Sequence, residues 1–87
     1  MDSTLLRLKG QVATLATNAR GMGDALERLK TSCGQTASEI THAISGTSRQ
    51  SDRAIINTLH AAEAELGQAV AALRRAAHEA HQFATSL

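Results

Sequence analysis

The sequence has no tryptophan, tyrosine or proline, and it contains one phenylalanine and one cysteine among 87 residues. So few aromatic residues, without alternating β-branched runs, exclude a β-sheet. Helix-forming residues dominate, so the sequence predicts an all-α protein. Its only cysteine, Cys33, can form neither an internal disulfide nor a metal–thiolate cluster within one chain. The length allows one small domain, spanning residues 1–87.

Membrane, export and nucleic-acid signals are also missing. No apolar run approaches the roughly 18 residues of a transmembrane helix, so we expect no membrane insertion. The N-terminus lacks a basic segment followed by an apolar one, so we expect no signal peptide. The net charge is +1, which gives no general attraction to nucleic acid. We expect synthesis in the cytoplasm, and any secretion would use a route without a cleaved signal peptide.

The residues that carry catalysis in enzymes occur here without the required patterns. Glu63 and Glu65 fall on different faces of a helix and cannot act as a carboxylate pair. His78 and His81 are three residues apart, whereas a helical zinc pair of the metalloprotease type needs a spacing of four. The prediction is therefore a non-enzymatic protein with no catalytic residues, no cofactor and no metal. A metal or redox module using these histidines and Cys33 is kept as a minor alternative.

Two stretches of apolar residues at alternating spacings of three and four predict two long helices. The first helix covers about residues 4–45, and its apolar positions are Leu5, Leu8, Val12, Leu15, Ala19, Met22, Leu26, Leu29, Cys33, Thr36, Ile40 and Ala43. The second covers about residues 51–85, and its positions are Ile55, Leu59, Ala62, Leu66, Ala69, Leu73, Ala76, Ala80 and Phe83, with Ile56, Val70, Ala77 and Ala84 widening the stripe. The second pattern is displaced by one residue, and Gly46 is a typical helix stop. We therefore predict a turn at about residues 46–51 and an antiparallel helix-turn-helix hairpin.

Three glycines leave alternatives open within the first helix. Gly21 and Gly23 could mark a kink, a break that makes three helices, or a close approach of a partner helix. Gly34 lies in a polar stretch and could mark a second turn. The unbroken spacing from Leu15 to Leu26 favours one continuous helix.

Two helices with one aromatic residue bury little apolar surface, and a single core of this size supplies only about 3–5 kcal/mol. We therefore expect two hairpins to pair into a four-helix bundle, as a homodimer or a heterodimer. Cys33 would serve as a small buried residue or as a cross-link between two chains at a two-fold interface. The predicted packing residues of the core and the dimer are Leu5, Leu8, Val12, Leu15, Leu26, Leu29, Ile40, Ile55, Leu59, Leu66, Leu73 and Phe83.

The turn residues Ile44, Ser45 and Gly46 stand where a known family of small helical hairpins carries a Trp-x-Gly motif. The following segment, from Glu65 through Leu73 to Gln82, is in step with that family's founding secreted antigen. The sequence thus resembles the Trp-x-Gly (early secreted antigenic target) family of type VII secretion, with Ile in place of Trp. The family's Tyr-containing secretion element is absent. The resemblance implies a dimerising secreted partner or chaperone-like adaptor, which binds another hairpin and a larger exported protein.

A different class of protein fits the same pattern. A structural or adaptor coiled-coil subunit of another bacterial secretion or assembly system would also be a long helical hairpin without enzymatic residues. Needle and rod components are one example, although those hairpins usually turn on prolines. A chaperone-like hairpin that holds an exported helix is another example.

Overall fold

The computed structural model describes residues 3–44 and 50–86. It contains two helices, α1 (Ser3–Ala43) and α2 (Gln50–Ser86). Two proximities show that they pack antiparallel: the Glu63 carboxylate lies beside Gly34, and Leu73 lies beside Gly23. The predicted all-α helical hairpin is confirmed. Of the predicted turn motif, Ile44 is described and donates its backbone N–H to the Ile40 carbonyl at 3.0 Å. Ser45 and Gly46 lie outside the described residues.

Helix α1 continues through Gly21, Gly23 and Gly34 without a break. Its polar second half stays helical, and the threonine hydroxyls there bond back to the preceding turn. Thr31 donates to the Glu27 carbonyl at 3.1 Å, and Thr41 donates to the Ala37 carbonyl at 2.8 Å. Hydroxyls bonded in this way do not compete for the backbone of the next turn. Of the alternatives for the glycines, a close approach applies to Gly23, which is buried against α2.

The buried part of the contact between the helices consists of small side chains, whereas the large apolar side chains of the contact are half-buried. Among the described residues, no large side chain is fully buried. Small residues permit close helix approach, but they remove little apolar surface from water. The buried apolar residues are Ala16, Ala19, Ala37, Val70, Ala77 and Ala84.

The hairpin is a thin rod that measures 71 × 14 × 14 Å. Its radius of gyration is 19.6 Å, whereas a compact domain of this length has about 12 Å. Its accessible surface is 6329 Å², compared with about 4,900 Å² for a globular monomer of this mass. A lone hairpin therefore exposes much more surface than a globular protein of the same size.

The few charge pairs lie on exposed parts of the helices. Within α2, His60 Nδ1 lies 3.3 Å from Glu63 Oε1, and between the helices Arg74 lies 3.8 Å from Asp24. Exposed pairs of this kind add at most about 1 kcal/mol each. Over the described ranges, neither helix has a segment long and apolar enough to cross a bilayer.

Candidate interaction surface

Each helix carries three adjacent rows of residues, and each row repeats every seven residues. The inner row faces the other helix. In α1 it contains Ala16, Gly23, Lys30 and Ala37 and continues to Ile44 just after the helix, and in α2 it contains Ile56, Glu63, Val70, Ala77 and Ala84. All ten positions are buried or half-buried.

The shared row lies beside the inner row and completes the contact between the helices. Its members are buried or half-buried, and they include most of the leucines that α2 contributes to the contact. The inner and shared rows together form the usual two-row seam of an antiparallel helix pair. The shared row contains Val12, Ala19, Leu26, Cys33 and Ile40 in α1 and Leu59, Leu66, Leu73 and Ala80 in α2.

The outer row lies on the other side of the shared row and is largely exposed. In α1 it contains four large apolar residues followed by two smaller ones, namely Leu8, Leu15, Met22, Leu29, Thr36 and Ala43. In α2 three alanines lie between two large apolar residues, in the order Ile55, Ala62, Ala69, Ala76 and Phe83. Ala62 and Ala69 are half-buried, and the other members are exposed.

The two outer rows lie on the same side of the hairpin. When each helix is viewed from its own N-terminus, the outer row lies on the same rotational side of the shared row. Because the two helices run antiparallel and face each other, both outer rows then lie on the same side of the hairpin. They therefore form one continuous surface along the rod, called here the apolar face.

The opposite side of the hairpin is charged. Asp24 and Arg74 pair across it. Gly67 lies beside the Lys30 side chain, as Gly34 lies beside Glu63. Each glycine gives room to a charged inner-row side chain that bends toward this polar side. The hairpin therefore has one apolar side and one polar side.

The residues predicted from the sequence divide between the seam and the apolar face. Val12, Leu26, Ile40, Leu59, Leu66 and Leu73 lie in the shared row of the seam. The outer row contains Leu8, Leu15, Leu29, Ile55 and Phe83, while Leu5 continues the shared row beyond the end of α2 and is 41% exposed. Of the buried inner-row residues, Val70, Ala77 and Ala84 were expected only to widen the apolar stripe of the second helix, and Gly23 was one candidate for a close helix approach. Ala16 and Ala37 were missed because the pattern was traced through larger side chains.

The histidines and the cysteine do not form a metal site in the described part of the chain. No group of three or more His, Cys, Asp or Glu residues is placed to hold an ion there. His78 and His81 line an open groove of about 390 Å³ on the polar side, together with Arg20 and Arg74. The carboxylate partner of Arg74 lines the same groove. Cys33 is half-buried in the shared row, away from this groove.

Comparison of the chain with protein-family models, with curated proteins and with solved structures finds no match. The function is therefore inferred from the geometry of the hairpin and from the family resemblance of its sequence. The feature of the geometry that most needs an explanation is the apolar face. Contiguous exposed apolar surfaces on soluble proteins mark interaction sites.

Proposed function

We propose that this protein is a non-enzymatic hairpin that binds another helical hairpin through the apolar face. In this proposal it serves a type VII secretion system, as a secreted partner or as a chaperone-like adaptor. The single observation that carries the binding function is the exposure of Leu15, Met22 and Leu29, which are 60%, 56% and 50% exposed. The type VII assignment is supported by the hairpin and by the Ile44–Gly46 segment that follows α1 in the sequence.

The energetics of the hairpin favour the same proposal. Among the described residues, the buried apolar ones are five alanines and one valine, whereas eight large hydrophobic residues are exposed. Fully burying one Leu or Ile side chain contributes about 1.5–3 kcal/mol, and a partly exposed one contributes only part of this. Six of the eight exposed residues lie in the outer row, so covering the apolar face with another hairpin would add hydrophobic stabilisation to that of the seam.

A site-specific photo-crosslinker tests the binding function. We expect a crosslinker at Leu15, on the apolar face, to capture a helical hairpin, either this chain or another small protein encoded beside it. Thr31 is the control, because it is also exposed but lies on the polar side of α1, beside His60 and Glu63 of α2. We expect no capture there. A folded monomer by light scattering, with no crosslink from position 15, would contradict the proposal.

A second experiment tests the secretion system. We expect the gene to lie beside one for a membrane secretion ATPase, and we expect loss of that ATPase to remove the protein from the culture medium or to trap its exported partner in the cell. Unchanged export of both proteins would contradict the type VII assignment. Filaments seen by electron microscopy would instead favour a structural subunit of another assembly.

A further inference from the structure

We propose that the open groove on the polar side of the hairpin binds a phosphate group, and that it binds an anion more tightly as the pH falls from about 7.5 to about 5.5. The groove has a volume of about 390 Å³. It is called here the basic groove, and its charged and titratable lining residues are Arg20 and Asp24 of α1 and Arg74, His78 and His81 of α2. This site is separate from the apolar face, so the inference goes beyond the proposed function and does not rest on it.

The helical repeat brings basic side chains to the groove from both helices. In α2, His78 and His81 follow Arg74 by four and seven residues, which is the spacing of one helix face. In α1, Arg20 and Asp24 are four residues apart and share a face in the same way. The ion pair between Asp24 and Arg74 shows that these two faces meet across the hairpin. The two helices are therefore the walls of one groove, with hydrogen-bond donors on both.

Small residues keep the floor of the basic groove low. Ala77 lines the groove and is only 3% exposed. Gly23 has no side chain, and a Cβ added there would lie 3.6 Å from the Cγ atom of Arg74. The alkyl stem of Arg74 therefore lies close to the α1 backbone, while its guanidinium group stays in contact with water. A compact ion has room between the basic side chains, above a shallow apolar floor.

The donors in the basic groove outnumber its acceptors. The Arg74 guanidinium lies 3.8 Å from the Asp24 carboxylate, whereas a charge-assisted hydrogen bond is about 2.7–2.9 Å long. Arg74 thus keeps donors for a further acceptor. Among the described residues, Arg20 takes part in no ion pair, and His78 and His81 make no side-chain hydrogen bond. The two guanidinium groups exceed the one carboxylate by one positive charge, so the groove attracts an anion.

A phosphate group fits these donors better than a carboxylate does. A guanidinium group binds either one through two parallel N–H donors. A single arginine then uses both oxygens of a carboxylate, which leaves the donors of the opposite helix without an acceptor. The phosphate of a monoester has three strong acceptor oxygens, so Arg20 on one wall and Arg74 on the other can bind it together. Free phosphate and the headgroup of phosphatidic acid share this chemistry.

The two histidines make the site sensitive to pH. Histidine is the side chain whose charge ordinarily changes between about pH 5 and pH 8. The charged groups that line the groove with His78 and His81 are Arg20 and Asp24 from α1 and Arg74 from α2 itself. Protonation of both imidazoles raises the excess of positive charge from one to three, and a bound anion favours the protonated forms. The affinity for an anion of fixed charge therefore rises as the pH falls.

Nuclear magnetic resonance titration of the full chain tests the site. The probes are inorganic phosphate and sulfate, because sulfate has the same tetrahedral shape and keeps both charges throughout this pH range. At constant ionic strength we expect amide shifts around the groove, with sulfate binding at least about fivefold tighter at pH 5.5 than at pH 7.5. Shifts spread evenly along the rod, or the same sulfate affinity at both pH values, would overturn the inference.

Matched arginine variants separate a site from general charge attraction. We expect Arg20→Gln to weaken sulfate binding at least about fivefold, because it removes the donors of one wall. Arg28→Gln makes the same charge change at an exposed position of α1 that does not line the groove, and it should change the affinity less than about twofold. Circular dichroism checks that both variants remain helical. Equal losses in the two variants would overturn the inference.

Matched histidine variants test the origin of the pH dependence. We expect the double variant His78→Gln and His81→Gln to bind sulfate with nearly the same affinity at both pH values, because no group that titrates in this range is left in the groove. His42→Gln is the control, because His42 is exposed outside the groove, and it should keep the full dependence. An unchanged dependence in the double variant would overturn the role of the histidines.

Vesicle sedimentation distinguishes the two sources of the phosphate group. The vesicles contain phosphatidylcholine alone or phosphatidylcholine with phosphatidic acid. Binding of inorganic phosphate in solution without sedimentation assigns the groove to free phosphate. Sedimentation only with phosphatidic acid, weakened by Arg20→Gln but not by Arg28→Gln, assigns it to a lipid headgroup. A chain that binds neither inorganic phosphate nor these vesicles would overturn the inference and leave the proposed function standing, because the apolar face takes no part in this binding.

Discussion

At the residue scale, the glycines of this hairpin differ in what surrounds them. A Cβ added at Gly10 or Gly21 meets nothing within 4 Å. At Gly34 the same atom would lie 2.8 Å from Glu63 Oε2, and at Gly23 it would lie 3.8 Å from Leu73 Cβ. The first pair only lowers helix stability. In the second pair, a methyl group would be in ordinary van der Waals contact with α2 at Gly23 and too close to the Glu63 carboxylate at Gly34.

We predict that Gly21→Ala raises the free energy of unfolding by about 0.5–1 kcal/mol, because alanine loses less backbone entropy in a helix. Gly10→Ala should give a similar gain. Gly34→Ala should give a smaller one, since the Glu63 carboxylate must move away. Urea denaturation followed by circular dichroism, at one fixed protein concentration, measures all three. A gain at Gly34 equal to that at Gly21 would show that Glu63 does not need this space.

At the scale of the helices, the seam depends on the smallness of its side chains. Ala37 has no exposed surface at all, and it faces α2 from the inner row. Its alanine side chain sets how closely the two helices approach at that level. A larger residue at this position must push the helices apart or adopt a strained rotamer.

We predict that Ala37→Leu lowers the free energy of unfolding by about 1–3 kcal/mol through overpacking of the seam. Ala61→Leu is the matched control, because Ala61 is exposed on α2 and leucine is nearly as good a helix former as alanine. Urea denaturation of the two variants gives the comparison. Equal stabilities would show that the seam is loose at Ala37.

The sequence predicted the helices and the hairpin, but not which rows form the contact between them. Alternating spacings of three and four residues describe any two adjacent rows of a helix. They therefore fit the shared and inner rows as well as the shared and outer rows. A hydrophobic pattern gives more weight to Leu15 and Met22 than to Ala16 and Gly23. Close approach of two helices favours the smaller residues. Which two rows form the contact depends on tertiary packing, and the spacing alone does not determine it. The apolar face could therefore be recognised only from the fold.

At the scale of the whole molecule, a thin rod with a seam of small residues has little stability of its own. If the apolar face is covered in the native state, association and folding are linked, because anything that binds only the folded form stabilises it. The measured stability then belongs to the assembly and depends on its concentration.

We therefore predict that the melting temperature rises with protein concentration, by several degrees over a hundredfold range. Thermal unfolding followed by circular dichroism, from micromolar to hundreds of micromolar chain, measures this. Leu15→Lys should remove most of the dependence, whereas Thr31→Lys should keep it. A melting temperature that is the same at every concentration would contradict linked folding and association.

The antiparallel pairing of the two helices also determines the order in which the hairpin can form. Gly34 lies beside Glu63, whereas Gly23 lies beside Leu73, so the loop that must be closed grows with every turn away from the connection. Loop-closure entropy then favours zippering that starts near the connection and moves toward the termini. During synthesis α1 is complete before its contacts in α2 exist. The leucines of α1 thus emerge from the ribosome before those of α2, and those nearest its N-terminus are among the last to be covered.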